Sequence, residues 1–121
     1  NSIIETITGS SNTTTVNVGN SASTDDADID LTATGDSNTI TINENSTASM
    51  VGSDKKITSI TAIGSSNTIT STHTGAAYQD PTLNHTGASS TVAITQGGAY
   101  DGTTSITTVG SGHNVTVTMD D

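Results

Sequence analysis

The sequence is poor in the residues that usually stabilise a small domain. Among its 121 residues there is no cysteine, phenylalanine or tryptophan, and there are only two tyrosines and one proline. The absence of cysteine excludes disulfide bonds and thiolate metal sites. Because hydrophobic residues make up only 29% of the chain, it contains too little apolar material for the core of an ordinary domain of this length.

Basic side chains are almost absent as well. Lys55 and Lys56 are the only two, and the formal net charge is −10. Nucleic acids and anionic membranes both favour a basic protein surface, so neither is an expected partner. No run of about 18 apolar residues occurs, and the sequence therefore predicts no membrane insertion.

Threonine dominates the sequence, with valine and isoleucine spread along it. Low hydrophobicity combined with high net charge is typical of disordered chains, but those are poor in β-branched residues. Threonine, valine and isoleucine favour strands, and here they fall in alternating patterns. The sequence therefore predicts an all-β fold, with a flexible threonine- and serine-rich tract as the alternative interpretation.

One short stretch recurs along the chain. It reads GSSNTTT from Gly9, GDSNTIT from Gly35 and GSSNTIT from Gly64, and diverged copies begin at Gly87 and Gly110. Apolar and polar residues alternate on both sides of each glycine, which is the period of a strand with one buried face. Glycine permits the positive φ of a tight corner. Each copy therefore predicts a strand, a tight turn and a second strand.

Stacking explains why the stretch repeats. One such unit cannot bury its own apolar face, but stacked units share a continuous core. We therefore predict a single domain over residues 1–121, a β-solenoid of five stacked strand-turn-strand coils about 4.8 Å apart. Equivalent asparagines would form a ladder in which each amide bonds to the next. The predicted corner residues are Gly9, Asn12, Gly35, Asn38, Gly64, Asn67, Gly87, Gly110 and Asn114.

The unit resembles the curlin repeat. The pattern G-x-x-N-x-[IV] is present at Gly35–Ile40 and Gly64–Ile69, and Gln96 stands nine residues after Gly87, as a glutamine does in that family. The family's glutamine two residues before the glycine is absent from every copy. The resemblance covers nearly the whole chain and implies a self-assembling subunit of an extracellular or cell-surface fibre, a functional amyloid. Similar repeats in structural proteins of marine bacteriophages imply a virion component as the alternative.

The ends of the predicted solenoid are candidate assembly surfaces. Each terminal coil has a neighbour on one side only, so it offers unpaired backbone groups and apolar side chains to another copy. We expect end-to-end homopolymers, with other fibre or virion subunits as further partners. The residues predicted to meet at the junction are Ile3, Ile7, Val16 and Val18 in the first unit, and Ile106, Val115 and Val117 in the last.

The sequence contains no recognisable catalytic or metal-binding constellation. Nucleophilic catalysis requires a serine or cysteine beside a histidine and a carboxylate, and metal sites require converging ligands. The three histidines fall at unrelated positions of the repeat: we predict His85 facing inward, His113 at a corner and His73 at a strand end. The expectation is a non-enzymatic protein without a cofactor.

Two polar patterns suggest weaker alternatives. The acidic run DDADID, from Asp25 to Asp30, is the best cation candidate, but it lacks the spacing of a calcium loop, which favours a solvated acidic loop. Outward threonines four and six residues after each glycine predict two parallel ladders that resemble the Thr-x-Thr rows of ice-binding β-solenoids. Such a face would suit ice or a glycan.

Overall fold

The computed structural model describes residues 2–18, 27–46, 55–75, 78–97 and 103–120. In these ranges the chain forms ten strands and no helix, which confirms the all-β prediction; accordingly, no helix there is long and apolar enough to cross a membrane. The strands are β1 (Ser2–Thr8), β2 (Thr13–Val18), β3 (Ala27–Thr34), β4 (Thr39–Ser46), β5 (Lys55–Ile63), β6 (Thr68–Gly75), β7 (Tyr78–Thr86), β8 (Thr91–Gly97), β9 (Ser105–Val109) and β10 (Asn114–Asp120).

The strands form two parallel sheets. Odd-numbered strands make sheet A, in the order β1-β3-β5-β7-β9, and even-numbered strands make sheet B, in the order β10-β8-β6-β4-β2. Each repeat therefore contributes one strand to each sheet, and we number these strand-turn-strand coils 1 to 5 along the chain. A full turn consists of one coil and the connection that follows it, so the five coils and their four connections make about four turns. The predicted β-solenoid is confirmed.

Paired strands are aligned by their repeats. Gly35 follows Gly9 by 26 residues, and each pair between coils 1 and 2 has the same offset, such as Ile7 with Ala33 and Val16 with Ile42. The offsets between later coils likewise equal the spacings of their glycines. All length variation between repeats therefore lies in the connections from sheet B to sheet A, and equivalent residues are stacked in columns.

The core is a thin apolar layer between the sheets. Alternate residues of each strand face it, as the alternating sequence pattern requires. Leu31, Ile60 and Leu83 are fully buried one above another in sheet A, and Ile40 and Ile69 are stacked in the same way in sheet B. Because the coils share these columns, each one buries its apolar face only through its neighbours.

The acidic run differs from its predicted form. Its second half is a strand and not a loop, because Ile29 is buried and Asp28 and Asp30 face outward on either side of it. Asp25 and Asp26 lie outside the described residues. No group of three or more potential metal ligands occurs in the described part of the chain.

Candidate functional site

Each corner is built from two residues with positive φ. Gly35 has φ 132°, and a Cβ atom there would clash with the backbone carbonyl of Gly9 in the preceding coil. Glycine is therefore required both by the dihedral and by the close approach of successive corners. The residue two positions later is also left-handed, a feature the sequence reasoning missed. Those residues are Ser11, Ser37, Ser66, Ser89 and Gly112.

The corner asparagines bond to the backbone of the preceding coil. Asn38 Oδ1 accepts a hydrogen bond from the backbone N–H of Asn12 at 2.9 Å, and Asn67 Oδ1 accepts one from the N–H of Asn38 at 2.8 Å. The Nδ2 groups of Asn38 and Asn67 donate to the carbonyls of Gly35 and Gly64, at 2.9 and 3.0 Å. Asn38 and Asn67 are buried, so these bonds satisfy polar groups that water cannot reach.

This ladder differs from the predicted amide-to-amide arrangement. The backbone N–H of each corner asparagine points along the stack and needs an acceptor, which the next side chain supplies. Ser90 takes the same place in coil 4, where its Oγ accepts from the N–H of Asn67 at 3.1 Å. Amide-to-amide bonding does occur on the outer face of sheet B, where Asn43 Nδ2 donates to Asn17 Oδ1 at 2.9 Å.

The last corner departs from the prediction. Asn114 does not lie in the corner; it begins β10, is exposed and pairs with Thr91. His113 holds the ladder position instead, three residues after Gly110. This corner reads GSGHN, with its asparagine one residue later than in GSSN, but the strand keeps its register, and Gly112 adopts the left-handed conformation that serine has in the other coils.

Replacing Asn67 with alanine tests the ladder. The change removes the acceptor for the Asn38 N–H and the donor to the Gly64 carbonyl, both in a buried corner. We expect a loss of about 1–3 kcal/mol in the free energy of unfolding, measured by denaturant titration. Asn43→Ala is the matched control, because it removes an exposed amide-to-amide bond. Equal losses in the two variants would contradict the structural role of the ladder.

The terminal strands each have one neighbour in their sheet. Among the described strands, β1 and β2 pair only with β3 and β4, and β9 and β10 pair only with β7 and β8. All of β10 is exposed, and its inward-directed Val115, Val117 and Met119 are exposed by 42%, 45% and 57%. Met119 was missed in the sequence, although alternation along β10 reaches it directly.

The two ends are not equivalent. At the other end Ile7 and Val16 are already buried, and Ile3 and Val18 pack against the core cluster while half-buried. Ile106 of β9 is also half-buried and packs against the core. Among the inward-directed residues that the structure describes, exposed apolar side chains thus lie in sheet B of coil 5. They form a row in line with the interior columns.

Three backbone hydrogen bonds join each pair of successive corners: two run from a coil to the following one, and the third runs back, as from the N–H of Thr39 to Asn12 O at 2.8 Å. The N–H of Gly9 donates to Thr34 O at 3.0 Å, and that of Ser11 donates to Asp36 O at 3.0 Å, each in the following coil. The later corners repeat both bonds. The equivalent donors of the last corner, Gly110 and Gly112, have no following coil among the described residues. Among the described residues, the last corner therefore leaves these two donors and the His113 carbonyl for a following coil, and the first corner leaves the Thr8 and Ser10 carbonyls and the Thr13 N–H for a preceding one.

A buried polar line crosses the interior of sheet B. Ser71 Oγ lies 2.7 Å from His73 Nε2, and His73 Nδ1 lies 2.5 Å from Glu44 Oε2 in the preceding coil. A carboxylate only accepts hydrogen bonds, so Nδ1 is the donor in the contact with Glu44, and the serine hydroxyl lies against Nε2. The sequence reasoning missed this line and placed His73 at a strand end, whereas its side chain lies in the core.

This line has the order of a catalytic triad but not its accessibility. Ser71 and His73 are fully buried and Glu44 is 1% exposed, so no substrate reaches the hydroxyl in this arrangement. A nucleophile must contact its substrate to act. The contacts instead stabilise a polar position of the core, and they join coils 2 and 3.

His85 and His113 form a second histidine contact, between coils 4 and 5. Their rings meet edge to face, with centroids 5.1 Å apart and an interplanar angle of 73°. His85 is buried and faces inward, and His113 lies at the corner. None of the four ring nitrogens has a hydrogen-bond partner among the described residues. Burial, and secondarily the nearby His113, lowers the pKa of His85 below its usual 6.5.

The lowered pKa predicts a loss of stability in mild acid. Below about pH 6.5 the unfolded chain binds a proton at His85 more readily than the folded chain does, so acid favours unfolding. The contribution of His85 to the folded state is therefore complete above pH 6.5 and decreases as the pH falls. We expect the melting temperature of the His85→Leu variant to fall less than that of the unsubstituted chain when the pH is lowered from 7 to 5. Parallel melting-temperature curves for the two proteins would contradict this.

Threonines form a regular, uncharged outer face on sheet B. The register aligns three outward columns, spaced about 4.8 Å between coils. The columns are Thr13, Thr39, Thr68, Thr91 and Asn114; Thr15, Thr41, Thr70, Ala93 and Thr116; and Asn17, Asn43, Thr72, Thr95 and Thr118.

Comparison with known proteins identifies no relative of this chain. No protein-family model, no curated protein and no solved structure matches the chain. The stacked columns, the corners and the two ends are therefore the features that bear on function.

Proposed function

We propose that this protein is a non-enzymatic structural subunit that assembles head to tail, coil 5 of one copy against coil 1 of the next. The observation that carries the proposal is the exposed apolar row of Val115, Val117 and Met119, which continues the interior columns of sheet B. In coils 2 to 4 the equivalent residues are all buried between two neighbouring coils. Covering this row removes apolar surface from water, the main favourable term in association.

The two ends are complementary when a second copy continues the repeat. If Gly9 of the second copy follows Gly110 as Gly110 follows Gly87, Val117 meets Val16 and Met119 meets Val18. These contacts repeat the pairing of Val117 with Ile94 inside the chain. The junction is therefore apolar over most of sheet B.

The same placement pairs the polar groups of the corners. The N–H groups of Gly110 and Gly112 would donate to the carbonyls of Thr8 and Ser10, following the bonds of Gly9 and Ser11 inside the chain. The N–H of His113 would donate to Asn12 Oδ1, as that of Asn12 does to Asn38 Oδ1. The N–H of Thr13 would donate in return to the His113 carbonyl, as that of Thr39 does to Asn12 O, so a head-to-tail contact pairs all of these corner groups.

A head-to-tail contact between unlike surfaces does not close on itself. When successive copies continue along one axis, it produces a filament. The added strands extend both sheets by main-chain hydrogen bonds, a recurring mode of protein association. The charge of −10 per chain opposes uncontrolled lateral contact between filaments.

The curlin resemblance supports an extracellular or cell-surface setting, in which such filaments form an adhesive, amyloid-like fibre. The alternative setting is a bacteriophage virion, where the same module would meet other virion subunits as part of a fibre or of the capsid surface. Self-assembly of the purified chain separates the two, because a virion component held by different partners needs no contact between copies of this chain.

The test is electron microscopy and sedimentation of the purified chain across protein concentration, salt and pH. We expect unbranched filaments one solenoid wide, with a repeat near 4.8 Å along the axis in fibre diffraction. A chain that stays monomeric under all these conditions would overturn the proposal.

The threonine face supports a second candidate, a binding module for ice or a glycan. Its three columns are uncharged and regularly spaced, and a repeating surface of this kind matches a repeating ligand. Threonine also suits exposed strand positions in general, which is why this candidate ranks second. Thermal hysteresis of the monomeric chain tests ice binding, and its absence would remove that ligand.

A further inference from the structure

One residue does not fit the junction that the proposed function requires. Glu5 lies on the inward side of β1, between Ile3 and Ile7, and pairs with Leu31 of coil 2. The equivalent positions of the later coils are all aliphatic: Leu31, Ile60, Leu83 and Ile106. Glu5 is half-buried in the free chain, where coil 1 has no preceding coil.

A second copy would bury Glu5. Continuing the repeat across the junction puts the Glu5 carboxyl between Leu31 of its own chain and Ile106 of the other copy. Neither neighbour offers a hydrogen-bond donor from its side chain. An ionised carboxylate transferred to such surroundings without a partner loses its hydration and gains no compensating bond.

The strands β2 and β3 beside this position carry no basic side chain. The inward residues of β2 are Thr14, Val16 and Val18, and those of β3 beside Leu31 are Ile29 and Ala33. Asp28 and Asp30 of β3 face outward. Other titratable groups on the inward side are Glu44 of β4, which is bonded to His73, and, across the proposed junction, His113 at the corner of the other copy.

We infer that head-to-tail assembly is proton-linked through Glu5, an inference that rests on the proposed junction. The N-terminal end accepts a second copy readily only when the Glu5 carboxyl is neutral, since a neutral acid is far less costly to bury than a carboxylate. Each junction that forms from ionised subunits therefore takes up a proton at this position. Acid therefore favours filaments and neutral solution favours monomers. This effect is additional to any general effect of net charge.

The experiment compares critical concentrations for assembly between pH 7 and 4.5. We expect the value for the unsubstituted chain to fall with decreasing pH, by up to about tenfold per pH unit for one linked proton. Glu5→Gln should assemble at pH 7 at about one-tenth of the critical concentration of the unsubstituted chain, or less, with a flatter pH dependence. Asp30→Asn is the matched control, because it removes the same charge from the outer face of the adjacent strand. It should follow the unsubstituted chain.

The outcomes separate this inference from the proposed function. If the unsubstituted chain forms filaments and Glu5→Gln shows the same pH profile, the role of Glu5 is wrong and head-to-tail assembly stands. If Asp30→Asn shifts the profile as much as Glu5→Gln, net charge is responsible and Glu5 has no special role. If no variant assembles at any pH, the junction itself is wrong. Circular dichroism at each pH checks that the compared species are folded.

Discussion

Val117→Lys is expected to abolish filament formation while the subunit stays folded. Val117 lies in the last coil and is 45% exposed, so a lysine there extends its ammonium group into water in the free chain. In the proposed junction the same group would lie against Val16 of the next copy, without a partner for its charge. Light scattering should therefore show no assembly at concentrations where the unsubstituted chain polymerises, with an unchanged circular dichroism spectrum.

Val92→Lys provides the matched control for that experiment. Val92 is fully buried in coil 4 and pairs with Ile69 on one side and Val115 on the other. The identical chemical change therefore places an unpaired charge in the core, and we expect a loss on the order of 3–5 kcal/mol and disruption of the fold. A Val117→Lys chain that assembles normally would show that coil 5 is not the junction, and a stable Val92→Lys chain would contradict the stacked core.

The repeat predicts the fold well because one alignment determines many contacts. Once Gly35 and Gly64 are recognised as equivalent, every residue after them is assigned a partner 29 positions away, as the register of β4 and β6 shows. Alternation then assigns each of those residues to the core or to the outer surface. Such a prediction does not depend on the lengths of the connections, which absorb the irregular spacing.

Side-chain chemistry was less predictable, and the corner ladder shows why. The alignment places Asn38 next to Asn67, but it does not say whether an amide bonds to another amide or to a backbone N–H. That choice depends on the left-handed residue before each asparagine, Ser37 and Ser66, which directs the backbone N–H along the stack. Serine is an uncommon residue at positive φ, so the sequence carries only a weak signal for this geometry.

The buried polar line had a signal that went unused. Glu44, His73 and Gln96 all stand nine residues after their corner glycines, and the structure stacks them in one interior column. Of these three residues, only Gln96 matches the curlin pattern. Aligning the ninth position of all five units places Glu44 beside His73, because equivalent residues of neighbouring coils are stacked in one column.

His73→Leu is expected to destabilise the fold strongly, because it leaves the Glu44 carboxylate buried without its hydrogen-bond donor. Glu44 is 1% exposed, and its other oxygen, Oε1, has no partner among the described residues. Removing one member of a buried ion pair typically costs about 3–5 kcal/mol, whereas replacing both members with apolar residues is often nearly neutral. Denaturant unfolding should therefore show a large loss for His73→Leu and a much smaller loss for the double variant Glu44→Leu/His73→Leu. The double variant should still fall somewhat below the unsubstituted chain, since Ser71 Oγ loses the Nε2 atom 2.7 Å away. Equal losses in the single and double variants would mean that the carboxylate of Glu44 finds water or another partner, and that the line between coils 2 and 3 is not isolated from solvent.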